Sequence, residues 1–211
     1  ILAYDEEGKP YEPEWPKGDV IIGNPPFLGD KKMRAELGDR YVHDLRALFT
    51  NRLPSQSDLV CYWFEKSREL INKKRVKRVG LLATQAIRGG ANRIVLERIK
   101  EVGDIFWAQS DRNWILDGAV VHVAMVGFDD GRETLRELNG YSVERINPDL
   151  THSADLTKAV RLIENAGLSF IGTQRTGPFD VDNDLAKKFI ACGRNPNGSF
   201  NSEVVSPWIN A

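Results

Sequence analysis

The hydrophobic and polar positions in the first part of the chain predict alternating strands and helices. Residues 20–22 form a short β-branched run that stops at Gly23 and two prolines, which is typical of a buried strand followed by a stiff loop. Residues 57–74 carry apolar side chains at helical spacing, and residues 79–83 form a second apolar run without alternation. The helical stripe consists of Leu59, Val60, Trp63, Phe64, Leu70 and Ile71. Because strands with continuous apolar runs are covered on both faces, the pattern predicts an α/β fold.

A predicted hairpin follows the second strand. A loop and a helix around residues 94–99 come first, and residues 104–108 and 120–128 then indicate two strands. The turn-rich segment between them, residues 110–118, is too short for a crossover helix. We therefore expect these two strands to pair antiparallel at one edge of the sheet.

Residues 30–57 have no clear period and mix charges with scattered apolar side chains. Two interpretations are open: a mobile flap over a bound target, or a solvated loop with one short helix near residues 42–51. The basic residues of this segment are Lys31, Lys32, Arg34, Arg40, Arg46 and Arg52.

The character of the chain changes after Gly131. A charged stretch leads to a predicted helix over residues 153–165, and a region rich in Gly, Pro, Asn and Ser contains one short helix near residues 184–191. This part holds too few apolar residues for a core of its own. We expect two parts, a folded domain over residues 1–130 and a connector over residues 131–211.

Composition and charge narrow the class of protein. The 211 residues are 41% hydrophobic and 28% charged with a net charge of −1, which indicates a globular chain that is not coated in positive charge. Its apolar runs are shorter than a membrane span and no signal-peptide pattern opens it. We expect a cytoplasmic protein that does not contact a membrane.

Cysteine and histidine usage gives no sign of a metal site. Cys61 and Cys192 are far apart, lack a C-x-x-C partner and are interpreted as reduced thiols. His43, His122 and His152 are scattered and match no zinc or haem spacing.

The strongest candidate for chemistry is the loop Asn24-Pro25-Pro26-Phe27 at the end of the first predicted strand. The carboxyl ends of strands are where open α/β sheets place their ligands. Asn24 offers a side-chain carbonyl, Pro25 a backbone carbonyl with no N–H beside it, and Phe27 a flat apolar ring. Two acceptors and a ring suit a planar group that carries an amino group; for four residues taken alone, a plain turn is the alternative.

Residues 19–27, Asp-Val-Ile-Ile-Gly-Asn-Pro-Pro-Phe, resemble the catalytic motif of amino-methylating, adenine-specific DNA methyltransferases of large restriction-modification and phage-defence enzymes. The likeness covers most of the chain. It extends through residues 58–64, 79–84, 119–128, 177–179 and 204–210.

The resemblance implies a partial class I (Rossmann-like) S-adenosylmethionine-dependent methyltransferase fold, from strand 4 to strand 7, with an antiparallel edge hairpin. It implies that Asn24, Pro25, Pro26 and Phe27 are the catalytic residues, and that Asn24 and Pro25 also border the cofactor, S-adenosylmethionine. The expected partner is double-stranded DNA, whose adenine is flipped out to stack on Phe27. Residues 1–130 would be the C-terminal half of the catalytic domain, and residues 131–211 would lead toward a target-recognition domain, with a linked nuclease as a further expectation.

The sequence offers no segment for the cofactor-binding half that the resemblance leads us to expect. The residues before Asp19 are too few for the strand, Gly-rich loop and helix that hold S-adenosylmethionine, and Gly89-Gly90 lack the G-x-G spacing of such a loop. We therefore expect a fragment that binds the cofactor very weakly. Methylation of a protein glutamine amide and a non-catalytic nucleic-acid-binding module remain alternatives.

Two further segments have two interpretations each. The basic run over residues 73–78 either contacts phosphates or ends a helix with charges that complement its dipole. Residues 111–114 lie either near DNA or in an ordinary loop.

Overall fold

Two structural units are defined in the computed structural model, Ile1–Ala159 and Val160–Ala211, and each is described by itself. The description covers residues 1–116, 119–153, 159, 162–168 and 180–207. No helix in these ranges is both long enough and apolar enough to cross a membrane.

The described part of the first unit contains eight strands and four α-helices. The strands are β1 (Ala3–Tyr4), β2 (Pro10–Tyr11), β3 (Val20–Gly23), β4 (Arg78–Thr84), β5 (Asp104–Leu116), β6 (Ala119–Asp129), β7 (Arg136–Leu138) and β8 (Tyr141–Val143). The helices are α1 (Asp30–Leu37), α2 (Asp39–Leu48), α3 (Val60–Asn72) and α4 (Gly90–Val102), with a 3-10 turn at Gln85–Arg88.

Six of the strands form one mixed sheet in the order β3-β4-β6-β5-β7-β8. β3 runs parallel to β4, whereas β6 lies antiparallel between β4 and β5. β3, β4 and β5 therefore point the same way, and their carboxyl ends meet at one edge of the sheet, here called the carboxyl edge. The expected α/β class and the antiparallel hairpin are confirmed.

The main core lies between one face of this sheet and helices α3 and α4. Paired positions on β4 and β6, such as Val79 with Phe128 and Leu81 with Val126, are buried and join the same cluster. Phe64 of α3 stacks on Phe128 with ring centroids 6.2 Å apart. The predicted apolar stripe of α3 is confirmed, since five of its six members are buried and Trp63 packs partly buried against both cores.

The prediction that β3 is buried is wrong for one of its faces. Val20 and Ile22 are 53% and 84% exposed, although Ile21 on the other face packs against the main core. β3 is the last strand of the sheet and pairs with β4 alone. Among the described residues, nothing covers this face of β3 or continues the sheet past it.

The predicted hairpin is longer and more central than expected. Residues 110–116, expected in a turn-rich segment, continue β5, with a bulge between Gln109 and Arg112. The hairpin strands are also not the outermost strands of the sheet, because β7 pairs in parallel with β5 and β8 pairs with β7 beyond it.

The solvated-loop interpretation of residues 30–57 is wrong, although the short helix that it placed near residues 42–51 overlaps α2. The segment forms two helices, α1 and α2, separated at Gly38, whose φ of 83° lies in the region that glycine favours. Their buried side chains meet α3 in a second core, where the rings of Phe49 and Tyr62 lie 4.9 Å apart, edge to face. Met33, Val42 and Leu45 are fully buried there. Both helices are amphipathic, with a few apolar side chains on one face and charged side chains around them. The flap interpretation stays a prediction about motion.

The predicted division at residue 130 does not coincide with a structural boundary, since β7 and β8 extend the sheet. Leu138, Ile146 and Leu150 are buried in the main core, and the first unit continues to Ala159. As a functional division into catalytic half and connector, the assignment stays a prediction.

In the second unit the predicted short helix is confirmed as α5 (Asn183–Ala191), which begins where the Asp182 side chain accepts a hydrogen bond from the Leu185 N–H. The helix predicted over residues 153–165 lies largely outside the described residues, apart from a 3-10 turn at Ile163–Asn165. Residues 177–179 and, in the closing segment, residues 208–210 also lie outside them.

The basic run over residues 73–78 ends α3 and begins β4 with its charges largely paired. Lys73 pairs with Glu69 at 2.6 Å, Lys77 with Asp19 at 2.8 Å, and Arg78 with Glu133 at 2.6 Å. These pairs lie at the amino edge of the sheet, opposite Asn24, and favour the helix-end interpretation.

A buried carboxylate joins three segments of the first unit. Glu65 of α3 has no exposed side-chain surface and accepts hydrogen bonds from Arg52, Arg68 and Arg98 at 2.8–3.3 Å. Burial alone would raise the pKa of Glu65, but the hydrogen bonds and charges of Arg68 and Arg98 outweigh it and lower the pKa below its ordinary value of 4.5. The ionised form therefore stabilises the fold.

We expect Glu65→Gln to lower the free energy of unfolding by about 3–5 kcal/mol at pH 7, because it leaves the buried guanidinium group of Arg68 and the partly buried one of Arg98 without their counter-charge. A group with a lowered folded pKa stabilises above its unfolded pKa and loses this effect as the pH falls through the folded value. The difference between the two proteins should therefore shrink below about pH 4. Urea unfolding at several pH values measures it.

Glu97→Gln is the matched control, since Glu97 pairs with Arg93 at 2.8 Å on the partly exposed face of α4. It should change stability by less than about 1 kcal/mol. An equal loss in both variants would contradict the role assigned to Glu65.

Candidate functional site

The loop Asn24-Pro25-Pro26-Phe27 leaves β3 at the carboxyl edge of the sheet. Its amino-terminal end is fixed by the parallel pairing of Gly23 with Leu81 of β4. β4 continues to Thr84, so the loop lies beside the last residues of that strand. The predicted placement of this loop at the end of a strand is confirmed.

The acceptors of the loop have no hydrogen-bond partner among the described residues. Asn24 is exposed, and its side chain takes part in no hydrogen bond with the described residues. Pro25 is buried, yet no donor among the described residues reaches its carbonyl oxygen. Two neighbouring carbonyl groups thus lack partners, and each can accept one hydrogen from an amino group.

Phe27 differs from the aromatic side chains that build the cores. Its ring is half-buried and belongs to neither core cluster, and Pro26 beside it is exposed. An aromatic ring outside the cores and next to two open acceptors is available for stacking on a planar ligand.

The carboxyl-terminal end of the loop is tied to α3 by two hydrogen bonds. The Leu59 N–H donates to the Leu28 carbonyl at 2.9 Å, and the Asp30 N–H donates to Asp58 Oδ1 at 2.9 Å. Asp58 in turn pairs with Asn92 of α4. The sequence placed Asp58 near the beginning of the helix predicted over residues 57–74 and gave no signal for its contact with Asn92, because the two positions are 34 residues apart.

The described pockets lie away from this loop. One, of about 330 Å³, is lined by residues around Arg52 and Arg98, and another, of about 310 Å³, lies at the amino edge around Lys77 and Asp129. Neither includes a residue of the loop. The loop faces an open surface next to the uncovered side chains of Val20 and Ile22.

Residues 111–114 lie on β5, and not in a loop. Thr84, the last residue of β4, is level with Val123 of β6, so the β5–β6 hairpin projects past β4 at the carboxyl edge. Asp111 and His122 meet across it with Oδ1 and Nδ1 2.7 Å apart. The projection lies on the same edge as Asn24; contact with DNA stays a prediction.

Cys61 is unsuited to nucleophilic chemistry. Burial raises the pKa of its thiol strongly, with the nearby charge of Asp58 acting in the same direction. Both cysteines are free, as expected, and no cluster of metal-binding side chains occurs within the described ranges. The groups that this loop offers to a ligand are hydrogen-bond acceptors and an aromatic ring.

Comparison with known proteins decides the family. Residues 8–139 match the family described as MmeI, DNA-methyltransferase domain. The chain belongs to this family. The matched region contains β3, the loop Asn24–Phe27, most of both cores and the hairpin, so the expected membership in the restriction-modification type of DNA methyltransferases is confirmed.

The fold is similar to a solved structure of the Type IIL restriction-modification enzyme MmeI in complex with DNA. The TM-score is 0.54 and the sequence identity is 25%, over 64% of this chain and 20% of that chain. The chain therefore spans about one fifth of the length of that enzyme. No curated protein matches the chain significantly. The expected partial Rossmann-like methyltransferase fold is confirmed.

We expect thiol reagents to modify Cys192 in the native protein and to leave Cys61 unmodified. Cys192 is exposed, whereas Cys61 is buried and protonated at neutral pH because its pKa is raised. Mass spectrometry after iodoacetamide treatment, with and without denaturant, measures both sites.

The Cys192→Ser variant is the control, and it should not react until it is unfolded. Equal rates of alkylation of the two cysteines in the native protein would show that Cys61 is accessible and would contradict the assignment.

Proposed function

We propose that this chain forms the target-amine half of a DNA methyltransferase that methylates the exocyclic 6-amino group of an adenine flipped out of double-stranded DNA. The observation that carries the proposal is the open pair of acceptors at Asn24 and Pro25, at the carboxyl edge of the sheet and inside the region that matches the family. Phe27 would stack on the flipped base.

The proposed role of the loop follows from the electronic structure of the amine. The nitrogen lone pair of an aromatic amine is delocalised into the base and is a poor nucleophile. Asn24 Oδ1 and the Pro25 carbonyl, each accepting one amino hydrogen, favour the tetrahedral nitrogen that develops as the new N–C bond forms. A loop stiffened by two prolines holds these acceptors in place before the reaction.

S-adenosylmethionine would supply the methyl group. The exposed face of β3 and the neighbouring acceptors fit one wall of its site, with Asn24 and Pro25 at the border. The two pockets described above contain no residue of the loop and supply no opposite wall. We propose that a further polypeptide segment provides it, as the short span of this chain relative to MmeI allows.

A target-recognition domain, with or without a linked nuclease, would complete the protein, which would act in the cytoplasm. The net charge of −1 supports a division of labour, since a chain that binds DNA alone carries more positive charge.

We expect Asn24→Ala in the full-length protein to lower the turnover of adenine methylation by about 100- to 1,000-fold, because it removes one acceptor that acts on the developing transition state. Tritiated S-adenosylmethionine and double-stranded DNA measure the rate, and nucleoside mass spectrometry identifies the methylated base. Melting temperature should not change, since Asn24 has no partner within the described structure.

Asn72→Ala is the matched control, an exposed asparagine at the opposite end of α3 from the loop. It should keep wild-type turnover. Full activity of Asn24→Ala, or methyl transfer by the wild type to protein glutamine and not to DNA, would overturn the proposal.

We also expect this chain alone to bind S-adenosylmethionine with a dissociation constant of about 1 mM or weaker, because only one wall of the site is present. Isothermal titration calorimetry measures it. Micromolar binding would show that the chain holds a complete cofactor site and would restore Gly89-Gly90 as a candidate loop.

A further inference from the structure

Two helices meet the catalytic loop through a set of hydrogen bonds that the proposed chemistry does not use. Asp58, just before α3, accepts the Asp30 N–H on one carboxylate oxygen at 2.9 Å. Its other oxygen accepts from Asn92 Nδ2 at 2.7 Å, and the Asp58 N–H donates to Asn92 Oδ1 at 2.8 Å. We call Asp58 and Asn92 the clamp pair.

The clamp pair supplies a partner to a helix end that lacks one. The first N–H groups of an α-helix have no partner inside the helix, and the residue before α1, Gly29, offers no side-chain cap. The Asp58 carboxylate fills that role from 28 residues away. An anion at this end also interacts favourably with the helix dipole.

The clamp pair holds the carboxyl-terminal end of the loop, which the sheet does not hold. β3 holds the amino-terminal end through its pairing with β4. The carboxyl-terminal end, residues 28–30, is held by the Asp58 carboxylate and by the adjoining Leu59 N–H. Between these anchors lie Asn24 to Phe27, with two prolines that leave few backbone torsions free. The position of the Asn24 and Pro25 oxygens therefore depends on where Asp58 stands.

The surroundings of the pair keep Asp58 in place. Ser57, fully buried, donates from Oγ to the Ala91 carbonyl at 3.4 Å, and Cys61 Sγ lies 3.4 Å from Asn92 Oδ1. These contacts join the beginnings of α3 and α4, both of which pack on the main core.

We propose that Asp58 is a positioning residue for methyl transfer, oriented by Asn92, and that the pair sets the placement of the Asn24-Pro25 acceptors. This proposal rests on the proposed function. Asp58 acts through the backbone of residues 28–30 and has no contact with the target base.

The pair offers a test by exchange of the two side chains. In Asp58→Asn combined with Asn92→Asp, the new asparagine can still accept the Asp30 N–H and donate to the new carboxylate. That carboxylate can still accept the N–H of residue 58. All three hydrogen bonds of the pair are kept, and only the one between the two side chains exchanges its donor and acceptor. In either single variant the two side chains no longer match. Asp58→Asn places two amide N–H donors face to face, and Asn92→Asp places two carboxylates face to face.

In the full-length protein we expect each single variant to lower kcat by about 10- to 100-fold, since displacements of this kind misplace the acceptors by about 1 Å. KM for DNA should stay within about twofold, because the loss lies in the transition state. The double variant should recover kcat to within about threefold of wild type, the non-additivity expected of a directly coupled pair. If a single variant is too unstable to assay, Asn92→Ala removes both hydrogen bonds between Asp58 and Asn92 without adding charge.

Amide hydrogen exchange gives a readout that does not depend on catalysis. Peptides that cover residues 24–34 should exchange faster in the single variants and return to wild-type rates in the double variant, whereas peptides from β4 and β6 should not change. Asp104→Asn is the matched control, because Asp104 likewise accepts hydrogen bonds from a side chain and a backbone N–H but lies at the amino edge. It should leave both kcat and loop exchange unchanged.

A double variant as slow as the singles, or singles with wild-type kcat and loop exchange, would overturn the proposal. A wild-type protein that transfers no methyl group to DNA would instead defeat the proposed function. The exchange measurement would then still decide whether the clamp pair holds the loop.

Discussion

The parallel pairing of β3 with β4 is the constraint on which the arrangement of this protein depends. Four residue pairs, from Val20 with Arg78 to Gly23 with Leu81, fix where the chain leaves the sheet and in which direction. Because β5 is parallel to both strands, the loop after Gly23, the end of β4 and the projecting hairpin share one edge. The helices that begin near that edge, α1, α3 and α4, can then be joined to the loop by hydrogen bonds from Asp58 and Asn92.

Stability and chemistry are separated along the strands. The strong ionic interactions lie between the helices or at the amino edge, where Glu65 binds three arginines and Asp104 meets Arg136 at 2.6 Å. The carboxyl edge has instead open acceptors, a half-buried ring and an uncovered apolar strand. An arrangement of this kind lets the acceptors at the proposed site remain unpaired, since the cores and ion pairs elsewhere stabilise the fold.

The exposed face of β3 distinguishes this chain from a self-contained α/β domain. Val20 and Ile22 are β-branched side chains of the kind that sheets bury, and here more than half of the surface of each is exposed. The loop that follows them has acceptors without partners among the described residues and belongs to neither of the two pockets described above. Both features are consistent with a proposed site that this chain and a further polypeptide segment build together.

The sequence by itself determined the candidate loop and most of the regular elements, because both depend on local chemistry. Two prolines after a β-branched run must end a strand, and a helical stripe such as that of α3 needs only its own period. Helix α1 was missed, and α2 was expected only as the short helix of one interpretation, because their apolar residues are sparse and are recognisable only once Phe49 and Tyr62 close a second core over them. The sheet order, the bare face of β3 and the Asp58–Asn92 contact depend on residues far apart in sequence. Only the tertiary structure decided them, since no local pattern records which distant partner a carboxylate or a strand edge will meet.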